Sequence, residues 1–320
     1  MRYVPLGRKK EREIKMLENI FTVGSNVLVL FVLIAIGYVC NKTKILSSAS
    51  VKDMTNFILY IVTPCVIISS YQRVFDKQML MGLIITLVAS FLSFAVNILI
   101  AHLAVKDKDK RREKTLRFGS VFSNCGYMSL PLQQALLGEI GVFYGATYVA
   151  VFQIMLWTYG VIVMSGDIKS ISLKKIIINP GVLSTALGIF LFVLSLSLPF
   201  PILEPMKHLA SLNTPVPMVI VGYHLANSSF KIKGLSVYVT MILRLIVSPL
   251  LMILGLWLCG ITGNILVSCT IAAASPVAAV TTMFSEKFDG ATSLSATVVS
   301  VTTLLSIITM PLIVGFSAML

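Results

Sequence analysis

Apolar runs separated by short polar connections dominate the chain. Counted by length, ten lie at about 20–40, 51–71, 79–103, 118–137, 141–164, 179–199, 209–227, 236–259, 265–284 and 291–318. Each approaches the roughly 20 apolar residues that carry a helix across a bilayer. The pattern predicts an all-α membrane protein of ten transmembrane helices with no separate soluble domain. Two runs are interrupted. The fourth holds Ser123-Asn124-Cys125-Gly126-Tyr127-Met128-Ser129-Leu130-Pro131. Pro131 removes a donor and clashes with the preceding turn, while Gly126 tolerates angles that other residues resist. The ninth, Ile265 to Phe284, holds Ser275-Pro276. Backbone groups freed at membrane depth are tolerated only against protein or a watery cavity. Interrupted segments in corresponding halves of a chain point to a transporter's binding site.

An internal repeat accompanies the breaks. The dipeptides Thr63-Pro64 and Thr214-Pro215 stand 151 residues apart, and Pro131 and Pro276 stand 145 apart. Spans one to five (20–164) then correspond to spans six to ten (179–318), after a polar tail at 1–19. Because five is odd, the halves sit in opposite orientations, as an inverted repeat. Met16 is an alternative start.

Of the 320 residues, 57% are hydrophobic and 12% charged, with mean hydropathy +0.92; soluble domains carry about a quarter charged residues. The net charge of +13 does not indicate nucleic acid, because the basic residues lie in short connections and act as topology signals. The densest, Val105 to Arg117, reads as a solvated cytoplasmic loop. Connections on its side hold sixteen Lys and Arg; the other side holds Arg73, Lys77 and Lys207, plus six in the tail. Both termini are therefore expected outside, in a multi-pass protein of the cell membrane. Cys40, Cys65, Cys125, Cys259 and Cys269 show no metal-ligand spacing and read as buried small hydrophobes. No cofactor is expected, and no GxxxxGK[ST] loop supports ATP-driven transport.

Asn124 is a hydrogen-bonding amide beside the first break. Arg244 is an intramembrane cation, suited to a broken-helix carbonyl or to an anionic substrate. Gln153, in span five, is interhelical glue or a ligand group.

The stretch Phe122-Ser123-Asn124-Cys125-Gly126-Tyr127-Met128-Ser129-Leu130-Pro131-Leu132 resembles the Asn-x-Gly-aromatic-x-x-x-Pro break of the auxin efflux carrier family, whose bacterial members are often labelled malate or malonate permeases. The run Thr302 to Leu312 is similar to that family's last span, and Phe288-Asp289-Gly290 fits its turn with the order changed. The resemblance implies two inverted five-helix repeats, broken helices four and nine crossing at the midplane, and anion transport by an elevator-like movement against a scaffold. It also implies a substrate site at Asn124, with Gln153 contributing. Cys269 stands where a second Asn is expected, seven residues before Pro276. The expected substrate site therefore comprises Ser123, Asn124, Gly126, Pro131, Gln153, Arg244, Cys269, Ser275 and Pro276. The function this supports is a secondary transporter of a small organic anion, a mono- or dicarboxylate, and not an enzyme. Its expected partners are that anion, the lipid bilayer and, through the scaffold helices, a second copy. The rivals are a sodium-coupled symporter of the bile-acid type, for which acidic or multiple amide ligands are expected at the crossover, and a membrane ligand sensor that does not transport.

Overall fold

A computed structural model describes residues 6–227 and 232–320; Lys231, counted above as a topology signal, and the first five residues of the tail lie outside them. The described residues form helices joined by turns and short irregular stretches, without a strand. Helix α1 runs Leu6–Lys42 and takes in most of the segment expected as a tail. It is followed by α2 (Ser48–Ser70) and α3 (Lys77–Ala104). The fourth run is two helices, α4 (Lys110–Val121) and α5 (Leu130–Leu137), on either side of the break. Next come α6 (Glu139–Ser165), α7 (Pro180–Val193), α8 (Phe200–Ser211), α9 (Pro215–Ala226) and α10 (Leu235–Leu258). The ninth run is again two helices, α11 (Gly263–Ala274) and α12 (Val280–Lys287), and α13 (Thr292–Ser317) closes the chain. Among the described residues, six helices are long and apolar enough to cross a membrane: the Val23–Lys42 part of α1, α2, α3, α6, α10 and α13. The chain is thus an all-helical, multi-pass membrane protein.

Two further boundaries differ from the sequence reading. The charged stretch expected as a loop is helical from Lys110. Asp109 caps it by accepting from the Arg111 N–H at 2.8 Å, and Glu113 pairs with Lys110 at 2.7 Å and with Arg117. Neutralised within its own helix, Glu113 is buried. The seventh run begins not at 209 but with α8. The chain turns at 212–214 before Pro215 and Pro217, which cannot donate to a preceding turn.

Three prolines are absorbed without a break. Five-residue π-turns, Ile58–Val62, Cys125–Ser129 and Leu243–Val247, end two residues before Pro64, Pro131 and Pro249. A proline leaves the carbonyl four residues back without its donor. The wider i→i+5 bond, seen from the Thr63 N–H to the Ile58 carbonyl and from Ser248 to Leu243, re-pairs the helix around that gap.

Packing is closest where side chains are smallest. A Cβ on Gly222 would stand 1.9 Å from the Ile34 carbonyl oxygen, and one on Gly37 would stand 2.1 Å from that of Val219. Backbone therefore meets backbone where α1 crosses α9, as membrane helices favour. The largest core cluster surrounds Phe122, whose ring lies 4.5 Å from Phe118, 5.6 Å from Phe152 and 5.9 Å from Phe94. It fixes the end of α4 between α3 and α6.

Candidate functional site

Between α4 and α5 the backbone leaves the helix at Phe122 (φ −95°, ψ 109°) and re-enters after Asn124 (φ −76°, ψ 51°). Between α11 and α12 it leaves at Ser275 (φ −60°, ψ 143°), the extended state that Pro276 imposes on the residue before it. The two irregular stretches lie antiparallel and bridge at Ser123 and Val277. The Asn124 N–H donates to the Pro276 carbonyl at 2.7 Å, and the Ala278 N–H returns a bond to the Phe122 carbonyl at 3.0 Å. A third bond, from the Val277 N–H to Thr302 Oγ1 at 3.2 Å, ties the bridge to α13. Each break thus satisfies the other where water is absent.

Arg244 lies at the helix ends that run into this bridge. Its guanidinium donates to the Val121 carbonyl at 3.0 Å, to that of Ser120 at 3.4 Å and to that of Ala273. The first two belong to the end of α4 and the third to the end of α11, so one cation joins two negative helix termini. Ser248 Oγ accepts from the same guanidinium at 2.9 Å and from Asn97 Nδ2 at 2.9 Å. Arg244 is fully buried.

The opposite ends are open. Gly126 and Tyr127, where the chain re-enters a helix toward α5, and Ala279 and Val280, where α12 begins, are half-buried, whereas Val121, Ala273 and Ala274 are fully buried. A Cβ at Gly126 would meet nothing within 4 Å. Asn124, buried itself, holds the cap position of the first re-entrant turn without its amide capping that turn. Ser123 Oγ and Thr281 Oγ1 are buried and unpartnered among the described residues.

The structure therefore brings together Ser123, Asn124, Gly126, Ser275 and Pro276, with Arg244 at the neighbouring helix ends. Pro131 lies seven residues past the extended stretch, in the first turn of α5, and does not itself make the break. Ser275 Oγ bonds back to the Ile271 carbonyl at 3.0 Å. Cys269 is buried in the core beside the site. Gln153 is turned toward α7, where its carbonyl oxygen accepts from Asn179 Nδ2 at 3.2 Å. Two other cysteines depart from the expected burial: Cys259 is exposed and Cys40 partly so. The sequence reading missed Asn97 and Ser248; an amide within an apolar run, and a hydroxyl four residues after the buried cation, were the signals available.

Toward the N-terminal end of α4, Lys114 donates to the carbonyls of Met164 at 2.9 Å and Phe288 at 2.7 Å, fastening the ends of α6 and α12. Arg111 pairs with Asp289. Lys110 beside Glu113 holds its carboxyl below the usual 4.5, aided by Arg117 and opposed by burial.

Two interrupted helices joined at unwound stretches inside a multi-pass helical protein define a membrane transporter. Residues 22–314 match the membrane transport protein family, and the chain belongs to that family, the auxin efflux carriers. It is 28% identical over 234 residues to an uncharacterized transporter of Methanocaldococcus jannaschii, a match covering 70% of this chain and 75% of that protein.

Proposed function

We propose that this protein is a secondary transporter of a small organic anion, a mono- or dicarboxylate, bound at the crossing of the two breaks. The observation that carries this reading is the unequal treatment of the helix ends. Arg244 seals the negative ends of α4 and α11, while at the positive ends Gly126 and Val280 stay half-buried and Gly126 has free space beside it. Helix N-termini attract anions through free N–H groups and the helix dipole. Asn124 adds a side-chain donor. Ser123 lines the same turn, and Gly126 lets a carboxylate approach the backbone.

In this reading the paired helices α4–α5, α11–α12 and α8–α9, together with α7, complete ten crossings in two inverted halves, 20–164 and 179–318. The crossover body moves against a scaffold in an elevator-like step. The equal length of α4 and α11, twelve residues each, supports the repeat. Purified protein should be stabilised by members of a panel of mono- and dicarboxylates, and the stabilising anions should cross proteoliposome membranes without a sodium gradient. Stabilisation without flux would favour the sensor. A strict sodium requirement would favour the coupled symporter.

A further inference from the structure

Arg244 is 0% exposed, and its acceptors are all neutral: the carbonyls of Ser120, Val121 and Ala273 and the hydroxyl of Ser248. None of the ion pairs among the described residues includes it. The buried acid Glu113, by contrast, is paired with Lys110 and Arg117. A guanidinium does not lose its proton inside a protein. One elementary charge therefore sits within the membrane-spanning body without an ionised partner, an arrangement costly enough to call for a function. Because Arg244 holds both α4 and α11 by their ends, any movement that carries the crossover across the membrane carries this charge with it.

We propose that Arg244 sets the charge of the transport cycle. The charged residues Lys110 to Arg117 lie toward the end of α4 away from the bridge; at the bridge the empty crossover body moves one positive charge, that of Arg244, and a bound monovalent carboxylate cancels it, so that the two move as a neutral pair. The inference rests on the anion-carrier reading above and adds two things to it: the site is matched to a single negative charge, and the voltage-sensitive step is the return of the empty carrier. A negative-inside potential then draws the empty body inward and resets it. Each cycle of efflux exports one negative charge although the loaded step itself moves none.

The test compares exchange with net flux in proteoliposomes, using radiolabelled lactate as the monovalent probe, malonate as the divalent one, and a potassium–valinomycin potential. Exchange needs only the loaded step, whereas net efflux also needs the empty return. Between 0 and −100 mV, lactate exchange should change by less than about twofold, while net lactate efflux should rise on the order of tenfold. Malonate exchange, in which the dianion leaves a net charge of −1 beside Arg244, should be voltage-sensitive. In Arg244→Gln the pattern should invert, with lactate exchange becoming voltage-sensitive; Arg244→Lys should keep the wild-type pattern. Where the Gln variant does not fold, the wild-type comparison of the two probes decides alone. Lactate exchange as voltage-sensitive as lactate net efflux would overturn this inference and leave the carrier reading standing. Absence of flux with both probes and with every other carboxylate of the panel would overturn the anion-carrier reading, and this inference with it.

Discussion

The main-chain N–H of Asn124 donates to the carbonyl of Pro276 at 2.7 Å, and through that bond the two interrupted helices become one structure. Neither break is tolerable alone at membrane depth, where an unpaired backbone group costs several kcal/mol. Together with the bond from Ala278 to Phe122, the contact makes a minimal antiparallel bridge. The side chain of Asn124 is left free of this backbone duty.

The crossing of α1 and α9 offers a test of packing. Gly222→Val would set a Cβ against the Ile34 carbonyl, where 1.9 Å is available and the obstacle is backbone. The helices would have to separate, and lipid provides no hydrophobic force to hold them together. A fall in melting temperature in detergent is expected. Gly255→Ala, with nothing within 4 Å of the new Cβ, should leave the melting temperature unchanged.

Acid should loosen the N-terminal end of α4. Lys110, with Arg117, favours the ionised form of Glu113 in the folded state and holds its value below 4.5. Stability from this group is therefore fully present above 4.5 and is lost as pH falls through the lower folded value. Melting measured from pH 6 to pH 3 should show a steeper loss in the wild type than in Glu113→Gln. Equal slopes would place the acid sensitivity elsewhere.

Topology follows from the Lys and Arg bias. A reporter after Lys108 should lie in the cytoplasm and one after Leu320 outside. Finding both on one side would sink the arrangement of ten crossings in opposed halves.

The architecture was readable where the code is local. Apolar length located α2, α3, α6, α10 and α13 to within a few residues, and Ser275-Pro276 marked the second break. Pro131 led to the right segment by a wrong mechanism. It is absorbed by the π-turn before it, and the chain unwinds at Phe122–Asn124, where the stabilising partner is the backbone of Pro276 and Ala278, 152 and 156 residues away from Asn124 and Phe122. No local signal reports such a partner. The helix at Lys110–Val121 was hidden for a related reason: its one acid, Glu113, is paired at i,i+3 and i,i+4 spacing and buried, whereas a count of polar residues reads the stretch as solvated loop. Of the expected site residues, Gln153 could not be placed from sequence, because its orientation toward α7 depends on Asn179.

Arg244 should matter for stability before any substrate is added. Arg244→Gln removes a buried charge-assisted network and leaves the Val121 and Ala273 carbonyls without their donor. A buried acceptor left without its donor typically costs about 1–3 kcal/mol. Arg244→Lys should lose less, although a single ammonium cannot reproduce the fork that reaches both helix ends. Melting of the substrate-free variants checks this, and an unchanged Gln variant would show that the clamp contributes nothing to stability.

Asn124 separates the two duties of the crossover. Asn124→Ala keeps the N–H that bonds Pro276 and removes only the amide beside the open helix end. The fold should persist with a melting temperature close to that of the wild type. A hydrogen bond to a charged group contributes about 1.5–3 kcal/mol, so carboxylate affinity should fall on the order of tenfold to a hundredfold. Asn124→Asp should bind more weakly still, because it sets a carboxylate against that of the substrate. Asn124→Pro removes the N–H instead, strands the Pro276 carbonyl and should destabilise the protein even without substrate. Binding and melting measured on all three variants distinguish the roles. If Asn124→Ala binds and transports carboxylates as the wild type does, the amide lies outside the substrate path, and the residue serves the fold through its backbone alone.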